Sequence, residues 1–491
     1  MLSLVRSTKN TFASINRIPP EILSLIAHYC DPDEDMITLT RACRSWREIF
    51  ISYPSLWTSL DCAFINKTRL YLERSKTSPL RIHLQEWFFN NAFLLAVPHL
   101  DRLGSLFLSG PSNHLRRFIQ HFDSPSPLLK TLSLIVSSDE DVVLQDSIFG
   151  GDISSLRKLH LDGVIPNLAW KNMPNLRTLN LCNLPTNKIS VTQLLDFFEC
   201  APLLCEILLD EAFPEFSNAP LGRIVPLPNL KRLTITAQPL HTILMNHLLI
   251  PTGASIHQTF RFSDVTFPIH SHLPKDFGNL EHLSNITSIN LSFNSGVHLR
   301  LDGPNGNHDI LGDCADRRRP PASTCRRVLR SLDVFPVSTV EKLTIAHWQF
   351  TASSSVPVEK SSAYHTLNLM NNLRTLTLIA CVNLRFISAL NPKENRSGTI
   401  ICPKLEKLIV YVGRKDRFFL KGLLVMAKER SLRGAKLQSV IITRGDSFVP
   451  VPEVLELRTC VSHVEYRLDS NMHAWDFIPK DFFRLTDYDS D

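Results

Sequence analysis

Several signatures of bond-making chemistry are missing from this 491-residue chain. It has no phosphate-cradling G-x-x-x-x-G-K-[ST], no dinucleotide G-x-G-x-x-G, no nucleophile-elbow G-x-S-x-G and no zinc-binding H-E-x-x-H. The 11 cysteines include no C-x-x-C pair, and the 18 histidines form no metal-ligand spacing with them, so neither metal nor cofactor is expected. The cysteine count is odd and no secretory leader precedes it. That points to free, mostly buried thiols in a reducing compartment, cytoplasmic or nuclear, with Cys200 and Cys205 read as core thiols. No apolar run reaches the length of a membrane span. An excess of one charge is missing too: 53 basic and 47 acidic side chains leave a formal +6, so neither nucleic acid nor a membrane is an expected partner. Glycine is scarce, 17 against 31 proline, as in a chain of many short, punctuated segments.

What is present begins near the N-terminus. Residues 1–14 read as a disordered lead-in; Met1 to Arg17 is basic and acid-free, a faint transit-peptide character. Pro19 and Pro20 stand at a helix start, where a missing N–H is tolerated. Ile22, Leu23 and Ile26 are expected on one face of that helix. Asp31-Pro32-Asp33 breaks the chain, and Met36, Leu39, Cys43, Trp46 and Phe50 then recur at helical steps as one apolar seam. Some forty residues in three short helices seldom bury enough surface to stand alone, so a docking module is expected.

These residues resemble the F-box. Its pattern is met at Ile18-Pro19-Pro20-Glu21-Ile22-Leu23, Asp35-Met36, Ala42-Cys43-Arg44-Ser45-Trp46-Arg47 and Pro54-Ser55-Leu56-Trp57, with Ile18, Met36 and Ala42 replacing the usual leucine, leucine and valine. The resemblance assigns residues 15–62 and implies adaptor-binding positions at Ile18, Pro19, Ile22, Leu23, Ile26, Met36, Leu39, Cys43, Trp46, Pro54, Leu56 and Trp57.

From residue 63 to 470 one phrase, apolar-x-x-apolar-x-apolar, returns from Leu103-Leu106-Leu108 to Val461-Val464-Tyr466. Its first positions lie 20 to 33 residues apart, save two gaps of 56 and 54, the first split by His257-Phe260-Phe262. Self-similarity at this period predicts an α/β fold: a curved leucine-rich-repeat-like solenoid of parallel strands with outer helices. Ser190-Val-Thr-Gln193 reads as a capping box opening one helix; His114 to Phe122 and Asp416 to Arg430 read as two more. Strand alternation puts leucines in the core and leaves Lys158, His160, Asp162, Asp210, Arg232, Lys342, Lys407 and Tyr411 on the concave side as candidate target-binding residues. Residues 303–327, with Arg317, Arg318 and Arg319, read as a projecting insertion loop, Ala352 to Ser362 as a second loop, and 471–491 as an acidic-ended tail.

The degenerate repeats and the Pro-Ser-Leu-Trp ending are similar to members of large fungal F-box families. The resemblance implies a non-catalytic substrate receptor of a Skp–cullin–F-box ubiquitin ligase, with a Skp-type adaptor, a cullin and an unknown target protein as partners. A repeat scaffold acting with the adaptor outside any ligase is the alternative.

Overall fold

The computed structural model describes residues 14–468 except 31–34, 86–91, 138–139, 146, 167–172, 185–188, 212–221, 237–243, 263–278, 294–295, 305, 315–321, 348–359, 381–382, 396–397, 413–416 and 445–451. The lead-in before residue 14, Arg317 to Arg319, most of Ala352 to Ser362 and the tail therefore lie outside the described residues. The fold is mixed α/β, with N-terminal helices followed by mostly parallel strands. It divides into two compact units, Met1–Leu230 and Lys231–Asp491.

Among the described residues of the first unit, helices α1 (Pro20–Ala27), α2 (Asp35–Ala42) and α3 (Arg44–Ser52) precede a ladder of seven strands, besides the two-residue strands Val142–Val143, Val164–Ile165 and Val225–Pro226. The ladder strands are β1 (Ser59–Leu60), β2 (Leu80–Leu84), β3 (Leu103–Gly110), β4 (Thr131–Val136), β5 (Lys158–Asp162), β6 (Thr178–Cys182) and β7 (Glu206–Asp210). Each pairs in parallel with the next. The register lines up Leu60, Ile82, Leu106, Leu132, Leu159, Leu179 and Ile207 as one buried row. Leu84, Leu108, Leu134, Leu161, Leu181 and Leu209 form a second, two residues on. A strand's period of two sends both rows to the same face, and each such side chain contributes on the order of 1.5–3 kcal/mol by leaving water. Helix α4 (Ile65–Ser75) follows β1, α5 (Ser112–Ile119) follows β3 and α6 (Val191–Glu199) follows β6. The expected capping box opens α6: Gln193 N–H donates to Ser190 Oγ at 3.2 Å, and Ser190 N–H donates to Gln193 Oε1 at 2.9 Å.

Besides the two-residue strand Leu248–Leu249, the described residues of the second unit hold ten strands. They are β8 (Arg232–Thr236), β9 (Ser255–Phe262), β10 (Ser288–Phe293), β11 (Gly296–Asp302), β12 (Asn307–Cys314), β13 (Lys342–His347), β14 (Thr375–Ala380), β15 (Lys407–Val412), β16 (Ser439–Arg444) and β17 (His463–Leu468). Strands β13 to β17 pair in parallel in chain order, separated by helices α8 (Lys360–Asn368), α9 (Asn383–Leu390), α10 (Arg417–Leu432) and α11 (Pro452–Cys460). Leu343, Leu376, Leu408, Val440 and Val464 line up as a buried row of this unit's own.

Three expectations need correction here. First, residues 303–327 are not a loop projecting from the array. Asn307–Cys314 is a sheet strand, and Ala322–Arg330 is helix α7. Strands β10, β11 and β12 form an antiparallel meander, with β12 lying parallel to β9 and β10 parallel to β13. The 54-residue gap thus holds two extra strands. They run as V-H-L-R-L-D and N-H-D-I-L-G, and Gly303 N–H donates to the Gly306 carbonyl between them. Second, the register of β9 differs from His257-Phe260-Phe262: Ile256 pairs with Leu233 and Gln258 with Ile235, so Ile256 and Gln258 take the core positions. There His308 Nε2 stands 2.9 Å from Gln258 Oε1, and Gln258 Nε2 donates to Met245 Sδ at 2.7 Å. Third, Cys200 and Cys205 are half-buried rather than core thiols; of the nine cysteines whose side chains are described, none in a disulfide, Cys62, Cys182, Cys325, Cys402 and Cys460 are the buried ones.

Candidate functional site

The N-terminal helices do not form as one seam. At Cys43 the backbone is extended (φ −157°, ψ 171°), so the apolar series is cut into α2 and α3, which pack against each other. Only Met36 and Phe50 of that series are fully buried; Leu39, Cys43 and Trp46 are half-buried. The break is fixed by Arg47, whose Nε donates to the Thr40 carbonyl at 3.0 Å. Trp46 is held on two sides: its Nε1 donates to Asn16 Oδ1 at 2.7 Å, and its ring meets Phe50 edge-on at 5.6 Å.

Helix α1 is apolar nearly all round, and the expectation that Ile22, Leu23 and Ile26 share one face is corrected. Leu23, Ser24 and Ala27 face inward, while Ile22, Leu25, Ile26 and, just past the helix, Tyr29 are exposed, Tyr29 at 92 %. Pro19, at the N-cap, is exposed and Ile18 half-buried. Large apolar side chains clustered outward on a short helix mark an interaction surface. The implied adaptor positions therefore separate by place. Pro19, Ile22 and Ile26 face outward; Ile18, Leu39, Cys43, Trp46 and Pro54 are half-buried; Leu23, Met36, Leu56 and Trp57 are buried and hold the helices together. Leu25 and Tyr29 join the outward face though sequence reading passed over them; their i, i+3, i+4 spacing with Ile22 and Ile26 was the available signal.

Trp57 ties these helices to the strands of its unit. It is fully buried, donates from Nε1 to the Phe50 carbonyl at 2.9 Å, stacks edge-on against Tyr71 of α4 at 5.0 Å, and lies 4.3 Å under the Arg74 guanidinium.

The polar face opposite the leucine rows carries the candidate target residues. In the first unit Lys158 is exposed; His160, Asp162 and Asp210 are half-exposed. Burial pushes the His160 imidazole below its ordinary value, partly offset by Asp162. Asp162 accepts from Asn183 Nδ2 at 2.7 Å. In the second unit Arg232 and Lys342 are exposed, Lys407 and Tyr411 half-exposed. A cluster that sequence reading missed lies on the meander. Asp309 Oδ2 stands 3.0 Å from His257 Nδ1, and Oδ1 stands 3.4 Å from His298 Nε2. Arg300 lies 3.8 Å from Asp309 and 2.7 Å from Asp302, which also accepts from Asn290 Nδ2 at 3.1 Å. Burial works to raise the Asp309 carboxyl, but His257, His298 and Arg300 outweigh it and hold the group well below the usual carboxylate range. These charges answer one another, so the cluster fastens β9, β12 and β11 together. Among the described residues no group of three His, Cys, Asp or Glu side chains is placed to hold a metal ion, and no helix is long and apolar enough to cross a membrane.

Comparison with known families matches residues 15–63 to the F-box-like family. No curated protein matches the chain. An F-box-like segment implies docking on a Skp-type adaptor, the role of a typically non-catalytic subunit in Skp–cullin–F-box ligases.

Proposed function

We propose that the chain is a substrate-receptor subunit of a Skp–cullin–F-box ubiquitin ligase. Its F-box-like helices dock the adaptor, and the strands from β1 onward act as a curved leucine-rich-repeat-like solenoid whose polar face holds a target protein. The chain would make no bond itself; it would raise the effective concentration of a target lysine near the charged conjugating enzyme. The observation carrying the reading is the outward apolar face of Ile22, Leu25, Ile26 and Tyr29 within the F-box-like match. Solvent contact on side chains of that size is costly unless a partner covers them.

The test is co-purification. Ile22→Glu with Ile26→Glu places two charges on the exposed face without touching the core, and Pro19→Ala with Trp46→Ala removes the proline start and the aromatic anchor. Each pair should abolish adaptor binding while circular dichroism stays that of the parent, since truncated anchors commonly cost about 2 kcal/mol or more. Undiminished adaptor binding by both would falsify the docking assignment. Probing the adaptor complex for the cullin then separates a ligase subunit from a scaffold working outside one.

A further inference from the structure

One register level in the second unit has an arrangement that no single strand reveals. Ser288, Lys342, Thr375, Lys407, Ser439 and His463 are successive cross-strand partners on β10, β13, β14, β15, β16 and β17. Hydroxyl and base alternate across all six strands, on the face opposite the leucines, and all six side chains are exposed or half-exposed. None of these six positions is a carboxylate; the next partner along the level, Asp302 of β11 opposite Ser288, is answered by Arg300 at 2.7 Å and by Asn290 Nδ2 at 3.1 Å. The neighbouring acids are already answered: Glu406 accepts from Arg374 at 3.0 Å, Glu341 lies 4.0 Å from the same guanidinium, and Glu465 is held by Arg467 at 2.6 and 3.1 Å. Among the described residues neither Lys342 nor Lys407 makes a salt bridge, though Lys407 stands near enough to Glu465 to help Arg467 hold that carboxyl below its ordinary value. The contrast lies in the same unit, where the carboxylates of Asp309 and Asp302 are matched by His257, His298 and Arg300.

We propose that this row is the docking line for an acidic, extended segment of the bound protein, read through its carboxylates; this rests on the reading of the polar face as the target surface. The spacing supports it. Adjacent strands lie about 4.8 Å apart, so bases on alternate strands stand about 10 Å apart, which is the span of about three residues of extended chain. Carboxylates three residues apart could therefore meet Lys342, Lys407 and His463 in turn, with the Ser288, Thr375 and Ser439 hydroxyls donating to the segment between them. Lysine ammoniums are compact point charges, suited to single carboxylates rather than to bidentate phosphate forks. A nucleic-acid strand fits less well: such grooves pair dense positive charge with several aromatic platforms for the bases, and this row has no Phe, Tyr or Trp and a single imidazole, His463.

The test uses the full chain in complex with its adaptor, and fluorescence anisotropy of a labelled peptide of repeated Glu-Gly-Gly. The glutamate probe should bind at low salt and weaken as salt rises, and its glutamine counterpart should not bind. Lys342→Glu with Lys407→Glu should lower affinity at least about tenfold, roughly 1.4 kcal/mol, whereas Lys421→Glu on α10 should change nothing. Equal binding of the glutamine probe, indifference to the double reversal, or stronger binding of a phosphoserine peptide or a single-stranded RNA would overturn the inference. The two readings fail separately. Target capture that survives the double reversal removes the acidic line and leaves the receptor; loss of adaptor and cullin association removes the receptor whatever the peptide does.

Discussion

Gln258 and His308 occupy positions in the buried rows, at 1 % and 0 % exposure, with Ile235, Ile256, Leu301 and Ile310 as cross-strand neighbours. Gln258 Oε1 meets His308 Nε2 while Gln258 Nε2 donates to Met245 Sδ, a weak acceptor, so removing the glutamine alone is worse than removing both. Gln258→Leu alone should cost about 1–3 kcal/mol by stranding the imidazole, while Gln258→Leu with His308→Leu should recover most of the loss. Denaturant unfolding of the two variants gives the comparison, and a double change as damaging as the sum of the singles would refute the pairing. Asp309 offers a second residue-scale prediction. Its folded-state value is depressed, so the stability it contributes is present above the unfolded value of about 4 and lost as the pH falls below that. Asp309→Asn should therefore melt below the parent at neutral pH, and the gap should narrow as the pH is lowered below about 4. These residues also explain a misreading. A glutamine and a histidine at core positions conceal the repeat phrase on β9 and β12, so apolarity pointed to Phe260 and Phe262 instead.

Among elements, the strands with leucine at both inward positions were legible, since period-two burial and a fixed register write themselves into L-x-L. The meander was not. Val297, Leu299 and Leu301 alternate cleanly, but the residue three before Val297 is not apolar, and Gly-Pro-Asn-Gly was taken for the start of a loop although β11 and β12 pair on either side of it. Gly306 has a strict steric requirement. Gly303 N–H donates to the Gly306 carbonyl at 2.9 Å, and a Cβ on Gly306 would clash with the Thr252 carbonyl oxygen and lie 2.7 Å from that of Ala254. Both contacts are with backbone, which cannot swing aside. Gly306→Ala should destabilise the joint between β12 and β9, and hydrogen exchange should speed up on those strands before the rest of the unit. If strands stack by nearest neighbours, as in a repeat array, Leu376→Ala should cost about 2–5 kcal/mol and raise exchange chiefly across β13 to β15. Uniform loosening of the whole unit would count against that stacking.

At the scale of the whole molecule, the candidate docking segment could be recognised from a tenth of the chain, because proline, cysteine and tryptophan at fixed spacing are rare together. Which of its apolar residues face a partner could not be, since α1 is apolar on both sides and only packing decides between Leu23 and Ile22. The polar face of the strands was legible as alternation, while the order of its charges across strands depended on register. The anchoring of Trp57 between Phe50, Tyr71 and Arg74 bears on how such a protein can be handled. Strand β1 is two residues long and β2 places fully buried Leu80 and Leu84 beside it; the helices and the Trp57 plug stand at that end of the first unit. A bare sheet edge is a template for stray strand pairing, and repeat arrays need a terminal cap to stay in solution. Truncating residues 1–62 to make a trap that holds targets without degrading them would uncap the ladder as well as unhook the adaptor. Size-exclusion chromatography should find that truncation aggregated where Ile22→Glu with Ile26→Glu runs as a discrete species, so the clean trap is the one that keeps its lid on the sheet and loses only its grip on the adaptor.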